Sequence, residues 1–322
     1  MTSPRYKLLA ILTLALLSRG NSFAQNQATL EAGTAQAPTA LVMLHVRVTD
    51  ALNHAVVDVP QNNFRILEDG VEQKIELFSK EQIPVSYGLV VDNSGSMRSQ
   101  LEAVVKAGIR VVRTNKADDE AFLIRFISSD KIEIVQETTS NADLLINGLD
   151  TLYVEGGASA VVDAIYLATE KLAKQPTKNT LRRRALVIFT DGEDLNSFYT
   201  RERLFRLLAS TDVQIYTIGF TGYFKPKNQE RAKDLLTQLA TDTGGRAFFP
   251  ATTGELQNIA DQIINDIRTQ YVIGYEPSNR QDGFHKVQVL IEDDNKTEKR
   301  VAVTRVGYLA RQKCTYVRGD HP

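Results

Sequence analysis

The chain of 322 residues contains one cysteine, Cys314, and only four histidines. A single cysteine cannot form a disulfide within the chain, and the few His and Cys residues form no cluster with zinc-site spacing. A metal site is therefore expected to use oxygen ligands. Net charge is also small, since 38 Lys and Arg side chains oppose 39 Asp and Glu side chains. This balance gives no electrostatic support for binding nucleic acid or an anionic membrane surface.

The sequence also lacks an apolar run of the roughly 20 residues that a membrane-spanning helix needs. An apolar stretch at residues 8–17 follows Arg5 and Lys7 and precedes Ser22-Phe23-Ala24, which has small residues where a signal peptidase cuts. We expect residues 1–24 to be a signal peptide cleaved after Ala24, and the mature protein to be secreted or periplasmic. An uncleaved membrane anchor is the alternative, but the apolar stretch is too short for it.

Hydrophobic residues make up 43% of the chain and charged residues 24%, as in folded globular proteins. Between residues 83 and 269, strand patterns alternate with helix patterns, which is typical of a parallel sheet covered by helices on both faces. The nearly continuous apolar runs at 88–91 and 185–189 indicate central strands buried on both sides. We predict an α/β fold with a doubly wound, mostly parallel six-stranded sheet.

Strand patterns without helices flank this segment on both sides. Three lie at 41–48, 64–67 and 75–78, the last two separated by a Glu68-Asp69-Gly70 turn, and three follow at 271–275, 286–291 and 300–306. Because neither flank alone buries enough surface, we expect both to pack into one small β-sandwich. The expected organisation is a signal peptide (1–24), a disordered linker (25–39), an N-terminal β segment (40–82), the α/β domain (83–269), a C-terminal β segment (270–310) and a tail (311–322).

Oxygen-bearing side chains follow two of the predicted buried strands. Asp92, Ser94 and Ser96 come at the end of the first strand, and Asp191 comes at the end of the fourth. In an open α/β sheet, ligands bind beyond the carboxyl ends of the strands, so these groups should face one crevice. A glycine-rich loop adds Ser159 just before a helix. Two carboxylates and three hydroxyls suit a small divalent cation such as Mg²⁺, which seldom takes all its ligands from protein.

In order and context, Asp92-x-Ser94-x-Ser96, Ser159 and Asp191 resemble the metal-ion-dependent adhesion site of von Willebrand factor type A domains. With its amino-terminal apolar segment and the flanking strands, most of the chain is similar to secreted bacterial proteins of the "VWFA-related Acidobacterial domain" type. One departure is that the family usually has threonine where this chain has Ser159. Serine keeps the hydroxyl but rotates more freely about χ1.

The resemblance implies a division of roles around the cation, which would be Mg²⁺, or Mn²⁺ or Ca²⁺. Ser94 and Ser96 would bind it directly, Ser159 directly or through water, and Asp92 and Asp191 largely through water. A vacant coordination position would accept an Asp or Glu carboxylate from a partner protein. The resemblance also implies that partner binding can couple to movement of the carboxyl-terminal helix, here near 256–267.

The sequence therefore predicts a non-enzymatic adhesion or scaffold protein that binds an acidic partner residue through a divalent cation, with no role for nucleic acid. Two alternatives stay open: a metal-assisted phosphoester hydrolase, since strand-end Asp with Mg²⁺ also serves that chemistry, and a structural envelope protein with a purely stabilising cation. Nearby charged residues have simpler interpretations. We expect Asp163 on a helix surface, Glu193 and Asp194 in a solvated loop, and Arg182-Arg183-Arg184 in another.

Overall fold

The computed structural model describes residues 41–175, 181–223, 225–292 and 299–310. The predicted signal peptide, linker and tail lie outside the described residues. No helix among those described is long and apolar enough to cross a membrane.

Strands occur in two groups, with the helices between them. The strands are β1 Val42–Thr49, β2 Phe64–Glu68, β3 Val71–Gln73, β4 Ile75–Ser79, β5 Val85–Asp92, β6 Glu120–Ser128, β7 Lys131–Thr139, β8 Arg183–Thr190, β9 Val213–Gly219, β10 Arg246–Phe248, β11 Tyr271–Tyr275, β12 Gly283–Ile291, β13 Val301–Val303 and β14 Gly307–Ala310. The described α-helices are α1 Leu101–Val112, α2 Ala142–Asp150, α3 Val161–Ala173, α4 Arg201–Ala209, α5 Pro226–Thr243 and α6 Leu256–Arg268.

The central sheet has the strand order β10-β9-β8-β5-β6-β7 and is parallel except for β7. Every residue of β5 and β9 is buried, as expected for strands covered on both faces. One core lies between the sheet and α1, α2 and α6, and a second lies between the sheet and α3, α4 and α5. The predicted doubly wound, mostly parallel α/β fold is confirmed.

Both flanks of the chain contribute strands to each of two further four-stranded sheets. One sheet has the order β13-β1-β11-β4, and the other has the order β14-β12-β2-β3. Their facing side chains form a separate core that includes Leu44, Ile66, Ile273 and Val287. The predicted β-sandwich is thus present, with the α/β segment between its two halves in the sequence.

From the sequence, the Glu68-Asp69-Gly70 turn was expected to join the strands at 64–67 and 75–78. In the structure it joins β2 to β3 instead. Asp69 and Gly70 both have positive φ, 50° and 83°, which is the geometry of a two-residue hairpin loop. Such a loop requires the returning strand to start at once, and β3 begins at Val71, opposite Glu68. The segment predicted at 75–78 is β4, which pairs with β11 in the other sheet.

The single strand expected at 300–306 is also wrong. The chain forms β13, which pairs with β1, and then crosses to the other sheet to form β14, which pairs with β12. The side chain of Arg305 is half-buried at this crossing and donates hydrogen bonds to the backbone oxygens of Thr211 (3.2 Å) and Met43 (3.4 Å). A half-buried guanidinium needs such acceptors, so Arg305 fixes the crossing point.

Candidate metal centre

The five predicted metal-site residues lie together at the carboxyl edge of the central sheet. Asp92 ends β5, and Ser94 and Ser96 lie in the turn that leads to α1. Ser159 lies two residues before the start of α3, and Asp191 directly follows β8. Strands β5 and β8 are neighbours, with Val91 paired to Phe189. Their connections leave the sheet toward α1 on one face and α4 on the other, which places the cluster at a topological switch point.

Asp92 is fully buried and organises the cluster. Its Oδ1 accepts a hydrogen bond from the Ser94 backbone N–H at 2.9 Å. Its Oδ2 accepts from the Ser159 hydroxyl at 3.0 Å and from the Thr190 hydroxyl at 2.7 Å. One carboxylate therefore joins the three loops that the sequence analysis expected to meet.

The remaining oxygens continue this network toward solvent. The Ser94 and Ser96 hydroxyl oxygens are 3.0 Å apart, and the Ser96 hydroxyl lies near enough to Asp191 to lower the pKa of that carboxyl group. Asp191 also accepts from the backbone N–H of Glu193 at 2.9 Å. Because Ser94 and Asp191 are buried whereas Ser96 is exposed, the network opens to solvent at Ser96.

The electrostatics of the cluster are those of unneutralised buried acids. Burial, together with the nearby Asp191 carboxylate, raises the pKa of Asp92 to about 6. Burial also raises the pKa of Asp191, against hydrogen bonds from Ser96 and the Glu193 backbone. Within the described part of the chain, the main influences on these two pKa values include no cationic side chain. A buried carboxylate without a counter-charge is costly, and a bound cation would remove that cost.

The donor set fits a hard divalent cation. It supplies carboxylate and neutral hydroxyl oxygens, the ligands that Mg²⁺, Mn²⁺ and Ca²⁺ prefer, from loops fixed by the strands behind them. The glycine that follows Asp191 also helps to position the Asp191 carboxylate at the sheet edge. Gly192 has φ +81°, and a Cβ at this position would lie 2.9 Å from a Leu236 methyl carbon. Only glycine fits this turn, which holds Asp191 close to the sheet edge.

Neighbouring acids behave differently from the sequence-based expectation. Asp163 is buried rather than on a helix surface, and it accepts hydrogen bonds from the backbone N–H groups of Phe198 (2.8 Å) and Tyr199 (2.7 Å). Asp194 accepts from the Ser197 hydroxyl at 2.6 Å and from the Val162 backbone at 3.2 Å. These two acids tie the loop after Asp191 to the start of α3 and so support the Ser159 loop.

Sequence reasoning missed two features. Thr190 was not among the predicted site residues, although its hydroxyl donates a hydrogen bond to Asp92. A second cluster, Glu68, Asp69 and His285, has ligand atoms that all lie within 4.8 Å of one another. His285 is more than 200 residues from Glu68 and Asp69 in sequence, and β2 meets β12 only in the folded sandwich. From the sequence, any metal site was expected to use oxygen ligands, whereas this cluster also offers a histidine nitrogen.

Comparisons with known proteins agree with this geometry. The family model of the von Willebrand factor type A domain matches residues 88–262, more than half of the chain, and this range contains all five site residues. A search of curated proteins finds no match.

Several solved structures are similar in fold. The vWF domain of the type V pili tip protein Mfa5 from Porphyromonas gingivalis is 13% identical, with a TM-score of 0.47, covering 58% of this chain and 96% of that one. BatB, a conserved hypothetical protein from Bacteroides thetaiotaomicron, is 20% identical, with a TM-score of 0.45 and coverage of 56% and 98%. A von Willebrand factor type A protein from Catenulispora acidiphila is 13% identical, with a TM-score of 0.44 and coverage of 84% and 75%. With its doubly wound sheet and the match of the family model across it, the chain belongs to the von Willebrand factor type A domain family.

Proposed function

We propose that this protein is an exported adhesion or scaffold protein that binds a divalent cation at Asp92, Ser94, Ser96, Ser159 and Asp191. The observation that carries the proposal is that these side chains, from three loops, lie at one edge of the sheet, with Asp92 hydrogen-bonded to Ser94 and Ser159 and the Ser94 and Ser96 hydroxyls 3.0 Å apart. Domains of this family commonly mediate adhesion or protein interactions, and many bind a divalent metal. The proposal extends both properties to this chain.

The residues would share the work as follows. The three serine hydroxyls would hold the ion as neutral ligands, while Asp92 and Asp191 would act largely through water and balance its charge. Mg²⁺ surrounded mainly by neutral oxygens stays strongly electrophilic. An Asp or Glu carboxylate of a partner protein would then complete its coordination from the solvent-exposed side, next to Ser96.

We propose no enzymatic activity. The described side chains that contact Asp92 and Asp191 are hydroxyls, and none is a lysine or arginine that could clamp a phosphate. Export rests on the proposed signal peptide at residues 1–24, with cleavage after Ala24.

Calorimetric titration of Mg²⁺ tests the metal site. Ser94→Ala removes one proposed ligand and should weaken binding by about tenfold or more. Ser99→Ala is the matched control, because Ser99 lies in the same turn but bonds only to Gln100. Equal Mg²⁺ affinity in wild type and Ser94→Ala would contradict the proposed site.

Partner binding is tested with the immobilised protein and an envelope extract of the source organism. Capture should require Mg²⁺, be lost in excess chelator and in Ser94→Ala, and survive in Ser99→Ala. Capture that persists in chelator would show that adhesion does not use the cation. Hydrolysis of a generic phosphoester that disappears in Asp92→Ala would instead establish the hydrolase alternative.

A further inference from the structure

A second group of potential metal ligands lies in the β-sandwich, away from the carboxyl edge of the central sheet. Glu68 ends β2, Asp69 lies in the hairpin turn that follows, and His285 is in β12. The His285 Nδ1 atom is 2.8 Å from Asp69 Oδ2 and 3.8 Å from Glu68 Oε1. One imidazole nitrogen thus faces two carboxylates from the adjacent strand and turn.

The other ring nitrogen fixes how His285 is presented. Its Nε2 lies 2.9 Å from the backbone oxygen of Gln281, which can only accept a hydrogen bond. Nε2 therefore carries a proton, and Nδ1 carries one when it faces only the Asp69 carboxylate. A metal ion would replace the Nδ1 proton and take the lone pair of that nitrogen. Histidines that bind metals almost always donate their other N–H to a carbonyl or carboxylate in this way.

The environment of Glu68 is a second, independent observation in favour of a metal site. It is 1% exposed, and its Oε2 accepts hydrogen bonds from the hydroxyls of Tyr275 (2.5 Å) and Tyr308 (2.9 Å). Its Oε1 is buried, points toward His285 Nδ1, and has no hydrogen-bond donor among the described residues. A buried carboxylate oxygen without a hydrogen-bond partner lowers the stability of the fold. A cation bound next to Glu68 Oε1 would remove this cost.

A proton on Nδ1 does not meet this need. Both ring nitrogens face acceptor oxygens, so without a metal each carries a proton. The Nδ1 proton would point at Asp69, 2.8 Å away, and would leave Glu68 Oε1 unpaired at 3.8 Å. A metal ion among the three groups would contact both carboxylates at once.

We propose that Glu68, Asp69 and His285 form a second metal site, selective for a transition-metal ion such as Zn²⁺. Imidazole nitrogen and carboxylate oxygen are both ligand types that Zn²⁺ takes, and three protein ligands would leave one of its four positions open. The imidazole favours Zn²⁺ over Mg²⁺ and Ca²⁺, which prefer oxygen ligands only. The Asp69 side chain is 41% exposed, which gives the ion a route from solvent.

The bound ion would act as a clamp within the sandwich. It would join the β2–β3 turn to β12, and through Glu68 it would connect to Tyr275 on β11 and Tyr308 on β14. Elements from both ends of the sequence would thus share one ion. This site is independent of the proposed Mg²⁺ site, so either can fail without the other.

Zn²⁺ titration of the purified protein, with excess Mg²⁺ to saturate the first site, tests the proposal. We expect one Zn²⁺ per chain, and binding weaker by about tenfold or more in His285→Gln and in Glu68→Gln. Glu68→Gln keeps an oxygen for the tyrosine hydroxyls, so it serves as the second variant if His285→Gln does not fold. His54→Gln is the matched control, because His54 Nδ1 faces only Asp50, at 3.2 Å on the surface.

Nitrogen-15 NMR of the wild-type imidazoles gives a readout that needs no variant. Saturating Zn²⁺ should move the His285 Nδ1 resonance to the metal-bound range and leave Nε2 protonated. The thermal unfolding midpoint should also rise with Zn²⁺ concentration in wild type and in His54→Gln. The proposal is overturned if His285 keeps both protons at saturating Zn²⁺, or if His285→Gln and Glu68→Gln bind Zn²⁺ as wild type does.

Discussion

At the scale of single residues, Asp92 shows what a sequence motif predicts and what it omits. The Asp-x-Ser-x-Ser spacing predicted a polar turn at a strand end, and the structure places that turn beside Ser159 and Asp191. Thr190 could not be assigned to Asp92 from sequence, because its direction depends on the parallel register of β8 against β5. Its hydroxyl donates to Asp92 Oδ2 and accepts from the Gly192 backbone.

Thr190→Val tests this contact with little change in side-chain volume. It leaves Asp92 with one hydroxyl donor fewer in a buried site, so the free energy of unfolding should fall by about 1–3 kcal/mol. Mg²⁺ affinity should fall by about tenfold or more, because Asp92 is less well held. Urea unfolding and calorimetric titration measure the two effects.

Thr169→Val is the control for that substitution. Thr169 is also fully buried, but its hydroxyl donates only to the Ile165 carbonyl one helical turn earlier. Its loss leaves no carboxylate with an unmet hydrogen bond. If both variants bind Mg²⁺ equally well, Thr190 has no part in the metal centre.

His45 is a second residue with properties set by the fold. It lies in β1, is buried, and neither ring nitrogen has a hydrogen-bond partner among the described residues. Burial, together with Arg183, Arg305 and Arg184, lowers its pKa well below 6.5. Asp212 and Asp242 line the same small cavity. The alternating pattern of β1 predicted a strand but not this environment, which comes from segments distant in sequence.

Acidification should therefore destabilise the protein through His45. The unfolded chain binds a proton near pH 6.5 while the folded chain does not, so the free energy of unfolding falls as the pH drops below that value. Between pH 7.5 and 5.5 this contribution is at most about 1.4 kcal/mol. His45→Leu should remove it, and His54→Leu, at an exposed position, should not. Urea titrations at both pH values measure the difference, and equal pH dependence in wild type and His45→Leu would contradict the assignment.

At the scale of elements, the end of α6 depends on a side chain from β8. The sequence analysis placed Arg182-Arg183-Arg184 in a solvated loop, but Arg183 is fully buried. It donates to the backbone oxygens of Ile267 and Gln270, where α6 ends. A cation there satisfies orphan carbonyls and opposes the negative end of the helix dipole. Burial lowers the pKa of Arg183 to about 10, so it stays charged at neutral pH.

Arg183→Met should destabilise the protein by about 2 kcal/mol, because buried carbonyls lose their donors. Arg184→Met should cost less than about 1 kcal/mol, since Arg184 forms a partly exposed ion pair with Asp212 at 2.8 Å. Chemical denaturation compares the two directly. An equal loss in both variants would show that the α6 end does not need Arg183.

Sequence patterns predicted elements well where one pattern determines the structure. The apolar runs at 88–91 and 185–189 became β5 and β8, because a strand buried on both sides needs apolar residues throughout. Sequence patterns did not predict which strands pair when the two strands are distant in sequence. The segment at 75–78 is a strand either way, but its partner is β11, almost 200 residues later in the chain.

At the scale of the whole molecule, the two flanks are mutually dependent. β1 lies between β11 and β13, and β2 lies between β12 and β3, so the strands before the α/β segment are paired mainly with strands after it. The Arg47 guanidinium on β1 also lies 3.3 Å from Asp266 on α6, with both side chains buried. The sandwich is thus attached to the α/β segment by a charged contact as well as by the chain.

A truncation after Thr269 tests this dependence. It removes β11 to β14, so β1 and β2 lose the partners that satisfy most of their backbone hydrogen bonds. In the intact protein the amides of 42–49 and 64–68 should resist hydrogen exchange; in the truncated chain they should exchange rapidly. Truncation after Ala310, which keeps every described strand, should leave their protection unchanged. If residues 42–79 stay protected without residues 270–322, the first flank folds alone, and the two flanks do not form one cooperative sandwich.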